Sequence, residues 1–137
     1  MPFVVDTNIL ISAIVKDSKC REILVTLQEQ FLFSEIVLDE LRDHSSEVLK
    51  KSNLSENELH ELIELLLKRM VIISVEKIKP YRIEAIEIMK DIDSDDAFLI
   101  ATALAHPGAI IWSDDADLKR QMVITVYTTK EMSALLV

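Results

Sequence analysis

A chain of 137 residues with half its residues hydrophobic makes one domain with a sizeable core, and no stretch approaches the roughly 20 apolar residues of a bilayer span. The single glycine, Gly108, excludes glycine-rich phosphate loops, and the single cysteine, Cys20, precludes an internal disulfide. The formal net charge is −9, and seven aspartates (Asp91, Asp93, Asp95, Asp96, Asp114, Asp115, Asp117) with no Lys or Arg among them place −7 of it between residues 91 and 117.

The predicted elements alternate in period. Phe3-Val4-Val5 reads as a short buried strand, Asn8 to Val15 as a helix, and Ser18 to Gln30 as a helix with Cys20, Ile23, Leu24 and Leu27 on one face. Phe31-Leu32-Phe33 is a second strand, after which Ser34 caps a helix expected to run to about Lys51. Ser55 and Glu58 form a capping-box signature for a helix to about Arg69. Val71 to Val75 reads as a strand, and Pro80 suits the first turn of a helix through about Met89. Ser94 is expected to cap a helix from Asp95 to His106, ended by Pro107 and Gly108. Ala109 to Trp112 is a strand, Asp114 or Asp115 opens a short helix to about Gln121, Val123 to Tyr127 is the last strand, and Thr129 caps a terminal turn.

Strands alternating with helices imply a parallel sheet covered on both faces, with functional groups at the carboxyl ends of its strands. Asp6 falls at the end of the first strand, and Asp114 and Asp115 fall just past the strand at 109–112. Asp96 is in the first turn of the following-Ser94 helix, and Glu40 lies two turns into the helix after the second strand. Four acids from four segments are thus expected at one edge. Taken singly, each has an ordinary use as a cap, a helix-dipole partner or a solvated surface group. Together they are suited to holding Mg²⁺ or Mn²⁺ for hydrolysis of a phosphodiester, because hard oxygen ligands match those ions. His44, His60 and His106 have no ligand-type spacing, which disfavours a zinc centre.

Four segments carry a family resemblance. Val4-Val5-Asp6-Thr7-Asn8-Ile9-Leu10 resembles the opening of PIN domains, and Ser34-Glu35-Ile36-Val37-Leu38-Asp39-Glu40-Leu41 resembles their second motif, pointing to Glu40. Asp96-Ala97-Phe98-Leu99-Ile100-Ala101-Thr102-Ala103-Leu104 resembles the third, and Ile111-Trp112-Ser113-Asp114-Asp115-Ala116-Asp117-Leu118 the fourth. The Trp112-Ser113 and Asp95-Asp96 pairs are similar to a VapC-like subgroup of toxin components from toxin–antitoxin pairs. The resemblance implies a three-layer α/β/α sandwich with a parallel sheet of four or five strands, spanning residues 1–137 as one domain. It implies a Mg²⁺- or Mn²⁺-dependent endoribonuclease, with Asp6, Glu40, Asp96 and Asp115 as catalytic metal ligands. Asp117 would be an additional ligand, and Thr7, Asn8 and Ser113 would orient the acids. Asp93 and Asp95 take no assigned role at this level.

The partners implied are an RNA substrate, a second copy of the chain and a small antitoxin, in the cytoplasm. The lone cysteine and an N-terminus without a secretory signal pattern fit that compartment. Lys16, Lys19, Arg21, Lys119 and Arg120 are candidates for a basic rim or, equally, solvated surface, and the leucine-rich stretch 59–67 reads as core packing ahead of a candidate dimer or partner surface. The rival to catalysis is a PIN-like interaction module. Haloacid-dehalogenase phosphatases would need an acid where Asn8 stands, and response-regulator receivers an aspartate near Val75 where Glu76 stands.

Overall fold

A computed structural model describes residues 1–136. In chain order the elements are β1 (Pro2–Val5), α1 (Thr7–Val15), α2 (Lys19–Thr26), β2 (Gln30–Ser34), α3 (Glu35–Asp43), α4 (Ser45–Ser52) and α5 (Glu56–Leu67). There follow β3 (Met70–Ile73), α6 (Val75–Ile78), α7 (Arg82–Met89), α8 (Ala97–Leu104), β4 (Ile110–Trp112), β5 (Val126–Tyr127) and α9 (Thr129–Ser133). Short 3₁₀ turns occupy Lys79–Tyr81, Ser94–Asp96 and Ala116–Arg120.

The five strands form one sheet in the order β3-β2-β1-β4-β5, and every pairing is parallel. β1 is central because all three of its apolar side chains, Phe3, Val4 and Val5, are buried, as a strand covered on both faces requires. Alternate residues of the strands serve opposite layers. Phe3, Val5, Phe31, Phe33, Ile110 and Trp112 pack with Leu10, Ile14, Ile23, Leu24 and Leu66 on one face. Val4, Leu32, Ile111 and Val126 pack with Ala85, Met89, Leu99 and Ile100 on the other. The result is the three-layer α/β/α sandwich expected from the sequence, with five strands. Among the described residues no helix is long and apolar enough to cross a membrane.

Several expected boundaries move, each for a local reason. The helix expected from Ser18 to Gln30 stops at Thr26, because Arg69 donates to the carbonyls of Leu24 (3.3 Å) and Leu27 (2.9 Å) and β2 begins at Gln30. The helix expected to continue to Lys51 is broken into α3 and α4 at His44 (φ −101°, ψ 12°). β3 ends at Ile73 rather than Val75, since Ser74 accepts the Lys77 N–H and starts α6. Asp93, not Ser94, caps the turn before α8 by accepting the Asp95 N–H at 3.0 Å. The last strand is two residues, not five. The buried Gln121 carboxamide oxygen accepts the N–H groups of Val123 (3.0 Å) and Ile124 (2.9 Å), taking those donors from a ladder. Thr128, not Thr129, is the cap of α9, in a capping box with Glu131. The box predicted for Ser55 and Glu58 is present.

Candidate active site

The chain reverses strand order between β1 and β4, and such a switch point opens a crevice at the carboxyl edge of a parallel sheet. Asp6 leaves β1 there. Its backbone N–H donates to the Trp112 carbonyl (3.1 Å), tying the ends of β1 and β4 together. The Asp6 side chain is buried and accepts the Ser113 hydroxyl at 2.6 Å. Burial nonetheless raises its pKa against the hydrogen bonds from Ser113 and from the backbone of Thr7 and Asn8, and the Asp115 charge raises it further.

Thr7, also buried, donates its hydroxyl to Glu40 at 3.2 Å. Burial pushes the Glu40 carboxyl above its usual range, opposed by that bond and reinforced by the charge of Asp6. Asp96 feels the largest effect. Burial first, then the charges of Asp6, Asp93 and Asp115, push it up to about 7. Carboxylate oxygens of Asp93, Asp96 and Asp115 all lie within 4.8 Å of one another, a spacing that can hold a cation. Asp93 thus belongs to the cluster, although sequence reasoning gave it no role. Its signal was the spacing to Asp96, three positions on, which puts both acids on one side of a helical turn.

Asp114 and Asp115 face opposite ways. Asp115 joins the cluster, with its N–H donating to Ser113 Oγ (3.1 Å) and its own carboxylate accepting the Asp117 N–H (2.9 Å). Asp114 turns away, accepting the N–H (2.7 Å) and hydroxyl (2.6 Å) of Thr129 at the start of α9. The Asp117 carboxylate stands outside the group of three and faces Arg120 at 3.6 Å. Asn8 is exposed, bordering a small cleft with Ile11, His44, Glu47, Val48 and Lys51, and serves Asp6 through its backbone.

The expected basic rim is largely spent on other contacts. Arg21 donates to the carbonyls of Ala13 (2.7 Å) and Ile14 (3.1 Å), closing the end of α1. Lys19 pairs with Glu22 at 2.8 Å, and Lys119 with Glu131. In the 59–67 stretch Leu59 and Leu66 are core and Leu65 is 54% exposed.

The fold and the acids define an α/β protein with an acidic cluster at the switch point of a 3-2-1-4-5 parallel sheet, and the sequence decides its family: the chain belongs to the PIN domain family, whose model matches residues 4–136. Among solved structures the chain is similar to a chain of VapBC2 from Rickettsia felis, crystallised bound to a DNA fragment from their promoter. The TM-score is 0.73 and the identity 24%, over 93% of this chain and 98% of that one, a likeness of fold. No curated protein matches the chain.

Proposed function

We propose that the protein is a Mg²⁺- or Mn²⁺-dependent endoribonuclease, acting as the toxin of a toxin–antitoxin pair. The observation that carries this reading is the convergence of Asp93, Asp96 and Asp115 oxygens within 4.8 Å of one another, beside Asp6. Carboxylates so close repel unless protonated or neutralised by a cation. The donor set fits a hard divalent ion, being all carboxylate oxygen without Cys or His.

Asp96, Asp115 and Asp6 would hold the ion, with Asp93 completing the set and Glu40, bonded to Thr7, near Asp6. Bound there, the ion would neutralise the acids, polarise the scissile phosphate and lower the pKa of a water. The chain's own groups do the positioning. Ser113 fixes the Asp6 carboxylate and the Asp115 backbone together, and Thr7 fixes Glu40. Asp117 supports Asp115 through its backbone N–H. RNA is the substrate class carried by the family resemblance. The toxin role draws support from the VapBC2 likeness, the complex of that protein being the precedent for a small antitoxin partner here. A second copy has a suitable surface on α6 and α7, where Val75, Ile83 and Ile86 are exposed beside an apolar groove of about 470 Å³.

The test is cleavage of mixed-sequence single-stranded RNA by purified protein in EDTA, Mg²⁺ or Mn²⁺, alongside Asp96→Asn. Cleavage is expected only with metal and should fall by about a hundredfold or more in the variant. No cleavage, together with no Mn²⁺-dependent rise in melting temperature, would replace this reading with a PIN-like interaction module.

A further inference from the structure

Residues 113–115 leave β4 with side chains pointing to alternate sides. Ser113 bonds Asp6, Asp115 enters the acid cluster, and Asp114 between them reaches the first residue of α9. The Asp115 carboxylate lies with those of Asp93 and Asp96 within 4.8 Å, close enough for ionised acids to repel. On the site side, the turn is held by two bonds to backbone N–H groups, those of Asp115 and Asp117. On the far side, both Asp114 oxygens are engaged by Thr129, at 2.7 Å from its N–H and 2.6 Å from its hydroxyl. The same hydroxyl accepts the Trp112 indole N–H at 3.0 Å, and Trp112 is fully buried in the core.

The geometry points to Asp114 as a positioning residue for Asp115. Held to Thr129, and through it to the Trp112 ring, Asp114 fixes the turn so that its neighbour's carboxylate stays among the other acids against their repulsion. The requirement is for two acceptor oxygens on a short side chain, because Thr129 presents two donors in line. An amide at 114 would offer one acceptor and lose one of the bonds. This role rests on the metal-site reading proposed above, but the clamp itself exists without metal, and the two can be measured apart.

The experiment compares wild type, Asp114→Ala, Asp114→Asn, Thr129→Val, Thr129→Ser and, as a distant control on α9, Ser133→Ala. Amide hydrogen exchange at Asp115 and Asp117 is read in EDTA, and Mn²⁺ affinity by titration calorimetry. Exchange at both amides should quicken, and Mn²⁺ binding weaken, by roughly tenfold in Asp114→Ala and Thr129→Val, the loss expected for a charge-assisted hydrogen bond. Asp114→Asn should lie between these and wild type, while Thr129→Ser, which keeps the hydroxyl, should behave as wild type. Folded Asp114→Ala and Thr129→Val with a lowered melting temperature but unchanged exchange and affinity would make Asp114 a plain anchor for α9 and overturn the proposal. Wild type that ignores Mn²⁺ would instead refute the metal reading, with exchange at Asp115 still reporting on the clamp.

Discussion

Asp96 sits where a charge is least welcome. Its ordinary value of 3.8 is pushed to about 7 by burial and by Asp6, Asp93 and Asp115. Between those values the folded protein binds more protons than the unfolded chain, so the group's stabilising contribution is full below about 4 and is lost as pH rises through about 7. Asp6 and Glu40 are raised as well and act in the same direction. Melting temperatures in EDTA should therefore decline through that window. Asp96→Asn should flatten the decline and raise the melting point by a few degrees on its alkaline side, with no gain on the acid side. Saturating Mn²⁺ should restore the wild type, by about 2.7 kcal/mol at a hundredfold excess over its dissociation constant. A wild-type melting temperature that stays flat or rises across the window in EDTA would remove the case for crowded, desolvated acids.

At the scale of elements, two helix ends are closed by arginine instead of glycine. With a single glycine in the chain, left-handed caps are scarce. Asn53 (φ 59°) ends α4 and Gly108 (φ 85°) follows α8, whereas Arg21 closes α1 and Arg69 closes α2. A cation there also meets the negative end of the helix dipole. Arg21→Ala should cost about 1–3 kcal/mol in a denaturant melt and leave Mn²⁺ affinity unchanged; a loss of metal affinity without loss of stability would return Arg21 to the site. These contacts also mark what the sequence could disclose. Hydrophobic period gave the layers and the parallel sheet, and strand ends gave Asp6 and the 114–115 pair. Local side-chain bonds to backbone were not legible: Ser74, Asp93 and Gln121 each capture N–H groups that propensity assigns elsewhere. Nor could spacing choose between Asp114 and Asp115, because the partner that turns Asp114 aside, Thr129, lies 15 positions further on.

For the whole molecule, the acidic window from Asp91 to Asp117 folds onto the lead into α8 and the exit from β4, which brings Asp93, Asp96 and Asp115 together beside Asp6. The two cations on the turn after Asp115, Lys119 and Arg120, are matched with Glu131 and Asp117. A polyanion approaching this edge meets repulsion that salt screens over about 8–10 Å. RNA cleavage at fixed Mn²⁺ should accordingly quicken, or hold level, from low to physiological ionic strength, the reverse of a basic RNA binder; a steep fall would reveal a cationic track and sink this prediction. The central position of β1 has one more consequence, for the making of the protein. The Ser113–Asp6 bond joins residues 107 positions apart, so β1 waits for a partner strand made more than a hundred residues later. A nascent chain stalled before residue 110 has Asp6, Glu40 and Asp96 but neither Ser113 nor Asp115. Translation thus delivers the complete set of acids only once β4 and the turn after it have been made, and fragments abandoned before them leave the ribosome without it.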